Sequence, residues 1–193
     1  MPKMFIIAGC NGAGKTTASY TLLPELLDCK EFINSDEIAK GLSPFNPSLA
    51  AIKASKLMAE RMDELIEKRE NFGIETTLST KSLARIVVDA QRRGYMVTLV
   101  FLWLRLPELA IERVRLRVES GGHDVPEATI IRRYASGIDN LFKLYMPIVD
   151  YWVLIDNSGQ AGRIVAEGGV NITTKIHSKP IYNSILEYER TRD

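Results

Sequence analysis

Short apolar runs alternate along the chain with longer amphipathic stretches, and the alternation reads as strand, helix, strand, helix. Met4-Phe5-Ile6-Ile7-Ala8 is apolar throughout and bounded by Gly9, as expected of a strand buried on both faces of a parallel sheet. Residues Lys15 to Leu23 are helix-compatible and stop near Pro24, and Phe32-Ile33-Asn34 makes a second short strand. Between Ser48 and Arg69, Ala51, Ala54, Met58, Met62 and Leu65 recur at helical spacing, whereas Lys53, Glu60 and Arg61 fall off the stripe. Phe72 to Glu75 predicts a third strand. Thr80 to Arg93 predicts a helix closed by Gly94, ahead of the strong strand Met96 to Leu104.

The second half keeps the rhythm. Pro107 to Glu119 reads as a helix with Ala110, Ile111, Val114 and Val118 on one face, and Ser120-Gly121-Gly122 breaks it with a hinge. Pro126 suits the first position of another helix, running to about Tyr145, on which Ile131, Tyr134, Ile138 and Leu141 are spaced to pack inward. Tyr151 to Ile155 is a fifth apolar strand, and its end carries Asp156-Asn157-Ser158-Gly159, the sort of strand-end loop that holds ligands in α/β sheets. Residues 163–177 alternate weakly, as one or two edge strands would, before a polar helix from about Pro180 to Arg190.

Composition narrows the function classes. With 193 residues, 46 % apolar and 25 % charged, the chain suits one core of ordinary globular make-up. Twenty-five basic against 24 acidic residues leave +1, so overall charge points to neither nucleic acid nor an anionic membrane, and phosphate binding must be local. Cys10 and Cys29 are too few for a disulfide framework and fit a reducing compartment, which makes the cytoplasm the expected location. Ile7-Ala8-Gly9-Cys10 imitates a lipoprotein processing site, but the apolar stretch before it is shorter than the roughly 7 to 15 residues of a signal-peptide core. The run Met96 to Leu104 is far short of the roughly 20 residues of a membrane span.

The local phosphate-binding feature is Gly9-Cys10-Asn11-Gly12-Ala13-Gly14-Lys15-Thr16. It satisfies G-x-x-x-x-G-K-[ST] between a predicted strand and a predicted helix, the context this pattern requires. Small residues free the backbone N–H groups to curl around an oxyanion, and the helix N-terminus adds a positive dipole. Gly9, Asn11, Gly12, Ala13, Gly14, Lys15, Thr16 and Thr17 are therefore expected to hold ATP. Lys15 would reach the β/γ-phosphates, and the Thr16 hydroxyl would ligate Mg²⁺. Cys10 sits at a variable position of the loop and is given no role. The expected fold is α/β of the P-loop NTPase type: one domain over 1–193, three-layer α/β/α, with a mainly parallel five-stranded core sheet. A helical, arginine-bearing lid would occupy about 107–145, and C-terminal edge strands and a helix 160–193.

An ABC-type ATPase is the tempting alternative, because Ser120-Gly121-Gly122 before a helix resembles its signature turn. Against it, Glu119 replaces the expected leucine, and Asn157 follows Asp156 where those ATPases carry a water-activating glutamate. A signalling GTPase would need an N-K-x-D element, which is absent. A non-enzymatic nucleotide-binding regulator would bind ATP without acceptor-dependent ADP release.

A small-molecule kinase needs a group to orient the acceptor hydroxyl and cations to close over the transferring phosphate. Asp36, in Asn34-Ser35-Asp36-Glu37 after the second strand, falls on the same sheet edge as the phosphate loop and is the candidate base; the competing role is a helix cap, from Asn34 followed by Glu37. Glu75-Thr76-Thr77 ends the third strand, where Glu75 and Thr76 could hold a polar acceptor or a water on Mg²⁺, or could simply end the strand and cap the next helix. Arg113 and Arg117 share a helix face, and Arg132-Arg133 lie beyond the Gly-Gly hinge; they are either a basic lid or solvated surface charge.

These residues together resemble the zeta-toxin family of P-loop kinases, over residues 4 to about 158. The resemblance rests on Gly9 to Thr17, Asn34-Ser35-Asp36, Phe72-Gly73-Ile74-Glu75-Thr76-Thr77, and Arg113 to Arg117 running into Gly121-Gly122-His123-Asp124-Val125-Pro126 and Arg132-Arg133-Tyr134. It implies phosphorylation of a sugar hydroxyl by Mg²⁺·ATP, with UDP-N-acetylglucosamine as the best-known acceptor of the family. Asp36 would be the base, Arg113, Arg117 and Arg132 or Arg133, between which the sequence does not choose, would supply the phosphate grip, and an antitoxin protein is a possible partner. The chain is shorter than the plasmid-borne toxins of that family.

Overall fold

A computed structural model describes residues 1–190; the end of the expected C-terminal segment, 191–193, lies outside the described residues. The elements run β1 (Lys3–Ala8), α1 (Lys15–Thr21) continued by a π-helical turn (Leu22–Leu26), β2 (Glu31–Ile33), α2 (Ser35–Leu42), α3 (Pro47–Lys68), β3 (Phe72–Thr76), α4 (Ser82–Arg92) and β4 (Met96–Trp103). They continue with α5 (Pro107–Glu119), α6 (Glu127–Asn140) and a second π-helical turn (Leu141–Tyr145), then β5 (Tyr151–Asp156), β6 (Arg163–Gly169), β7 (Ile172–Ile176) and α7 (Lys179–Arg190). The sheet order is β2-β3-β1-β4-β5-β6-β7. The first five strands are parallel, and β6 and β7 add antiparallel at one edge.

The burial of β1 explains the layers. Met4 to Ala8 are all buried, and successive side chains of a strand point to opposite faces, so both faces of the central strand must be covered by helices. Complete burial of Ile6 and Ile7 is worth roughly 1.5–3 kcal/mol each. Gly73 permits a close approach of the first layer: a Cβ there would stand 2.6 Å from Leu23 Cδ1, which projects from the π-helical turn after α1. Because β1 lies between β3 and β4, the chain reverses its direction of travel across the sheet at β1. Ligands in open α/β sheets bind at the carboxyl ends of the strands flanking such a switch.

Two elements differ from expectation. The residues after β2 form a separate two-turn helix, α2, before Pro44 and Pro47 interrupt the chain; Asn34 and Glu37 hinted at a cap, but eight residues are too few for a persuasive helical stripe. Pro126 precedes α6 at its cap position instead of opening it, and the α-helix gives way to the π-helical turn after Asn140. Among the described residues, no helix is long and apolar enough to cross a membrane.

Candidate active site

The phosphate loop leaves β1 through Gly9, whose φ of +144° and surroundings exclude a side chain: a Cβ would stand 2.3 Å from the Leu102 carbonyl oxygen of β4. It returns through Gly14, which caps α1 at φ +85°. No side chain caps α1, so the backbone donors of its first turn face the loop cavity as an anion requires. Asn157, just past β5, donates from Nδ2 to the Ala13 carbonyl at 2.7 Å and braces the loop from outside. Lys15 is buried and donates from Nζ to the Cys10 carbonyl at 2.9 Å. Burial raises the Cys10 thiol to about 11, with the nearby Lys15 and Arg113 charges only partly opposing it; the thiol stays protonated and unreactive at neutral pH.

Glu75, at the end of β3, is the hub of the site. Its side chain is 9 % exposed, and Oε1 lies 3.7 Å from Lys15 Nζ. Its Oε2 accepts from Thr16 Oγ1 at 2.8 Å and from Asn34 Nδ2 at 2.9 Å. Asn34 serves two elements at once, since its Oδ1 also accepts from the N–H of Asp36 at 2.8 Å and of Glu37 at 3.4 Å, capping α2. The capping role expected as a rival to function is therefore carried by Asn34, and it sets Asp36 in the first turn of α2 with its side chain exposed. The paired hard oxygens of Thr16 and Glu75 fit a Mg²⁺ ion that takes most of its ligands from phosphate and water. Among the described residues no group of three or more His, Cys, Asp or Glu forms a metal cage by itself.

A cavity of about 390 Å³ opens beside this hub, and Lys15, Asp36, Glu75, Thr76 and Arg133 all line it. A second cavity of about 280 Å³, reaching His123 and Asp124 of the hinge, shares Asp36 and Arg133 with the first. Asp36 thus stands where the two meet. The Thr76 hydroxyl also accepts from the Leu78 N–H at 3.0 Å, holding the turn in which Leu78 takes a φ of +57°.

The lid arginines separate. Arg133 donates from Nη1 to Asn11 Oδ1 at 3.1 Å, so α6 reaches directly across the phosphate loop. The adjacent Tyr134 hydroxyl anchors the helix by donating to the Leu104 carbonyl at 2.6 Å, and burial raises this phenol. Arg132 instead lines a groove of about 570 Å³ with Tyr188 and Glu189 of α7. The structure thus separates the two arginines between which the sequence does not choose: one residue is about 100° of helix rotation, enough to turn Arg132 toward the groove while Arg133 meets the phosphate loop. Arg113 donates from Nη2 to the Ser158 carbonyl at 3.1 Å, beside the phosphate loop and the strand-end loop. Arg117 is exposed and donates from Nη2 to the His123 carbonyl at 2.6 Å, which ties it to the hinge in this conformation. Thr17 is exposed on α1. Asn34 and Asn157 are residues to which sequence reasoning gives no role at the site: Asn34 reads only as a helix cap and Asn157 only as part of a strand-end loop, and the added signal is position, each at the carboxyl end of a strand.

The zeta toxin family model matches residues 1–144. The chain belongs to the zeta toxin family. A Haemophilus influenzae protein of uncharacterised function is 32 % identical over 133 residues, which are 68 % of this chain and 92 % of that relative. In fold, a chain from the AvrRxo1-ORF1:AvrRxo1-ORF2 complex with ATP is similar at a TM-score of 0.77 and 16 % identity, over 96 % of this chain; this chain spans 63 % of that one. The PezAT chromosomal toxin–antitoxin system of Streptococcus pneumoniae matches at 0.66 and 17 % identity, over all of this chain and 86 % of that one. Shikimate kinase from Acinetobacter baumannii matches at 0.50 and 18 % identity. As a member of the zeta toxin family, the chain is an ATP-dependent P-loop kinase.

Proposed function

We propose that this zeta toxin family member transfers the γ-phosphate of ATP to a hydroxyl of a small, hydroxyl-rich acceptor seated against Asp36. The observation that carries the reading is the convergence of Lys15, Asp36, Glu75 and Arg133 on one cavity at the mouth of the phosphate loop. The Asp36 carboxylate takes the proton of the acceptor hydroxyl as the acceptor oxygen bonds to the γ-phosphorus, and the bond from that phosphorus to the β–γ bridging oxygen breaks to release ADP. Lys15 offsets charge on the β/γ oxygens, and Arg133 does so from the lid. Thr16, with Glu75 behind it, would hold magnesium, which would supply further neutralisation of the phosphate charge. Arg113 would meet the nucleotide on the side of the strand-end loop. Arg117 would reach phosphate only after release from the hinge, as a closing lid permits.

UDP-N-acetylglucosamine is the acceptor that the family resemblance brings forward, and polar groups at two neighbouring strand ends suit a sugar. The likeness to the PezAT toxin–antitoxin system supports an antitoxin as protein partner, and the reducing-compartment cysteines support a cytoplasmic site of action. Incubation with Mg²⁺·ATP and a panel of UDP-sugars, nucleosides, free sugars and short-chain alcohols, followed by product masses, tests the reading. A gain of one phosphate on a panel member is expected. ADP release with no phosphorylated product would favour an ATPase, and neither would favour a regulator.

A further inference from the structure

The cavity wall that follows β3 is held from behind by α6. Thr76, Thr77, Ser79 and Thr80 line the cavity, whereas Leu78, in the middle of them, is completely buried. Leu78 takes a φ of +57°, a conformation that a bulky residue keeps only where its surroundings hold it. With the Leu78 side chain in the core, Thr77 and Ser79 stand on the cavity side, their hydroxyls joined by a hydrogen bond of 2.8 Å.

Contacts from α6 and its continuation fix this turn. Asn140 is buried and donates from Nδ2 to the Leu78 carbonyl at 2.8 Å. Tyr145, completely buried in the π-helical turn after α6, donates from its hydroxyl to the Thr80 carbonyl at 2.9 Å. Gly137 lies so close that a Cβ would stand 2.8 Å from the Thr77 carbonyl oxygen. Arg133, Gly137 and Asn140 are spaced i, i+4 and i+7, and so they share one face of α6. At one end of that face Arg133 meets Asn11 of the phosphate loop, and at the other Asn140 meets Leu78. Seven residues of helix span about 10 Å. A rigid rod therefore sets the spacing between the phosphate loop and the hydroxyl-bearing wall.

We infer that Asn140 is a positioning residue for the acceptor: through the Leu78 carbonyl it holds the wall of Thr77, Ser79 and Thr80 in register with the phosphate loop. Gly137 and Tyr145 fix the same wall on either side. Asn140, Gly137 and Tyr145 do not line the cavity themselves, so they act on the acceptor through the wall. The inference rests on the kinase reading of this cavity and deepens it, since it identifies what orients the acceptor toward Asp36.

The test uses the intact chain, Mg²⁺·ATP and the member of the panel of UDP-sugars, nucleosides, free sugars and short-chain alcohols that wild type phosphorylates. Asn140→Ala leaves the Leu78 carbonyl without its donor. In that variant kcat/KM for the acceptor should fall by about tenfold or more, the weight of one buried hydrogen bond, while the KM for ATP stays within about twofold. Gly137→Ala, which pushes on Thr77, and Tyr145→Phe, which frees Thr80, should shift acceptor kinetics in the same direction. Unchanged acceptor kinetics in Asn140→Ala, or equal losses toward acceptor and ATP, would make α6 a mere support of the fold and overturn the inference, with the kinase left standing. If Asn140→Ala does not fold, Gly137→Ala, which puts a better helix former on α6, decides by the same criteria. Wild type that phosphorylates no panel member overturns the kinase reading, and the inference with it, which keeps the two failures apart.

Discussion

On one side of β1, the end of β4 and the loop after β5 press against the phosphate loop with groups that have no part in phosphate chemistry: the Leu102 carbonyl behind Gly9 and the Asn157 amide on Ala13. On the other side, the first turn of α2, the end of β3 and the loop after it hold Asp36, Glu75 and a row of hydroxyls around an open cavity. The first flank fixes a backbone shape, and the second presents side chains to a ligand. A parallel sheet places both at the same edge, so one fold combines a rigid cradle with a variable wall.

The comparison breaks hardest at Lys15, which joins the phosphate loop to Glu75 of the second flank. Lys15→Ala should lower phosphoryl transfer by about 10³-fold or more, while Thr16 and Asn34 continue to satisfy Glu75 and the melting curve survives. Near-normal transfer in the folded variant would remove the phosphate-loop assignment. On the chemical flank, Asp36→Asn should lower transfer by about 10²- to 10⁴-fold and leave ATP affinity and stability nearly intact. Since Asn34 holds the cap, a loss of melting temperature with normal transfer would return Asp36 to a structural role.

The lid sharpens the contrast between neighbours in sequence. Arg133→Ala should cost about 10²- to 10³-fold in turnover, more than it weakens ATP binding, whereas Arg132→Ala should change neither; equal losses in the two variants would contradict the division of α6 into a site face and a groove face. On the bracing flank, Asn157→Ala should cost about 1 kcal/mol of stability and raise the KM for ATP several-fold with kcat little changed, read from calorimetry and ADP release. A kcat effect as large as that of Asp36 would place Asn157 in the chemistry.

The smallest effect belongs to the sheet edge farthest from the site. Tyr151 and His177 both hydrogen-bond Glu167, and they hold its carboxyl below the ordinary glutamate range, the Tyr151 bond first and the His177 bond second. A lowered folded-state value means the contribution is present above about pH 4.3 and is lost as the pH falls through the lowered value. The melting-temperature gap between wild type and Glu167→Gln should therefore narrow below the glutamate range and close in acid. A gap that widens in acid would reverse the assignment.

What the sequence determined by itself was whatever rests on local pattern and steric necessity. The apolar run Met4 to Ala8 demands cover on both faces, the glycines and Lys15-Thr16 demand a loop closing on phosphate, and the strand–helix alternation leads to a parallel sheet; each follows from neighbours within a few residues. Asp36 was placed at the right edge because a strand end is legible from composition. Only the tertiary structure decided that Arg133 and not Arg132 reaches the loop, because about 100° of rotation depends on how α6 is anchored through Tyr134. Only it decided that Glu75, 59 residues from Thr16, becomes the carboxylate shared by Lys15, Thr16 and Asn34, and that Asn157, 144 residues from Ala13, braces the cradle. Such pairings are set by strand order and register, which bring distant chain ends to one edge and leave no periodic trace along the sequence.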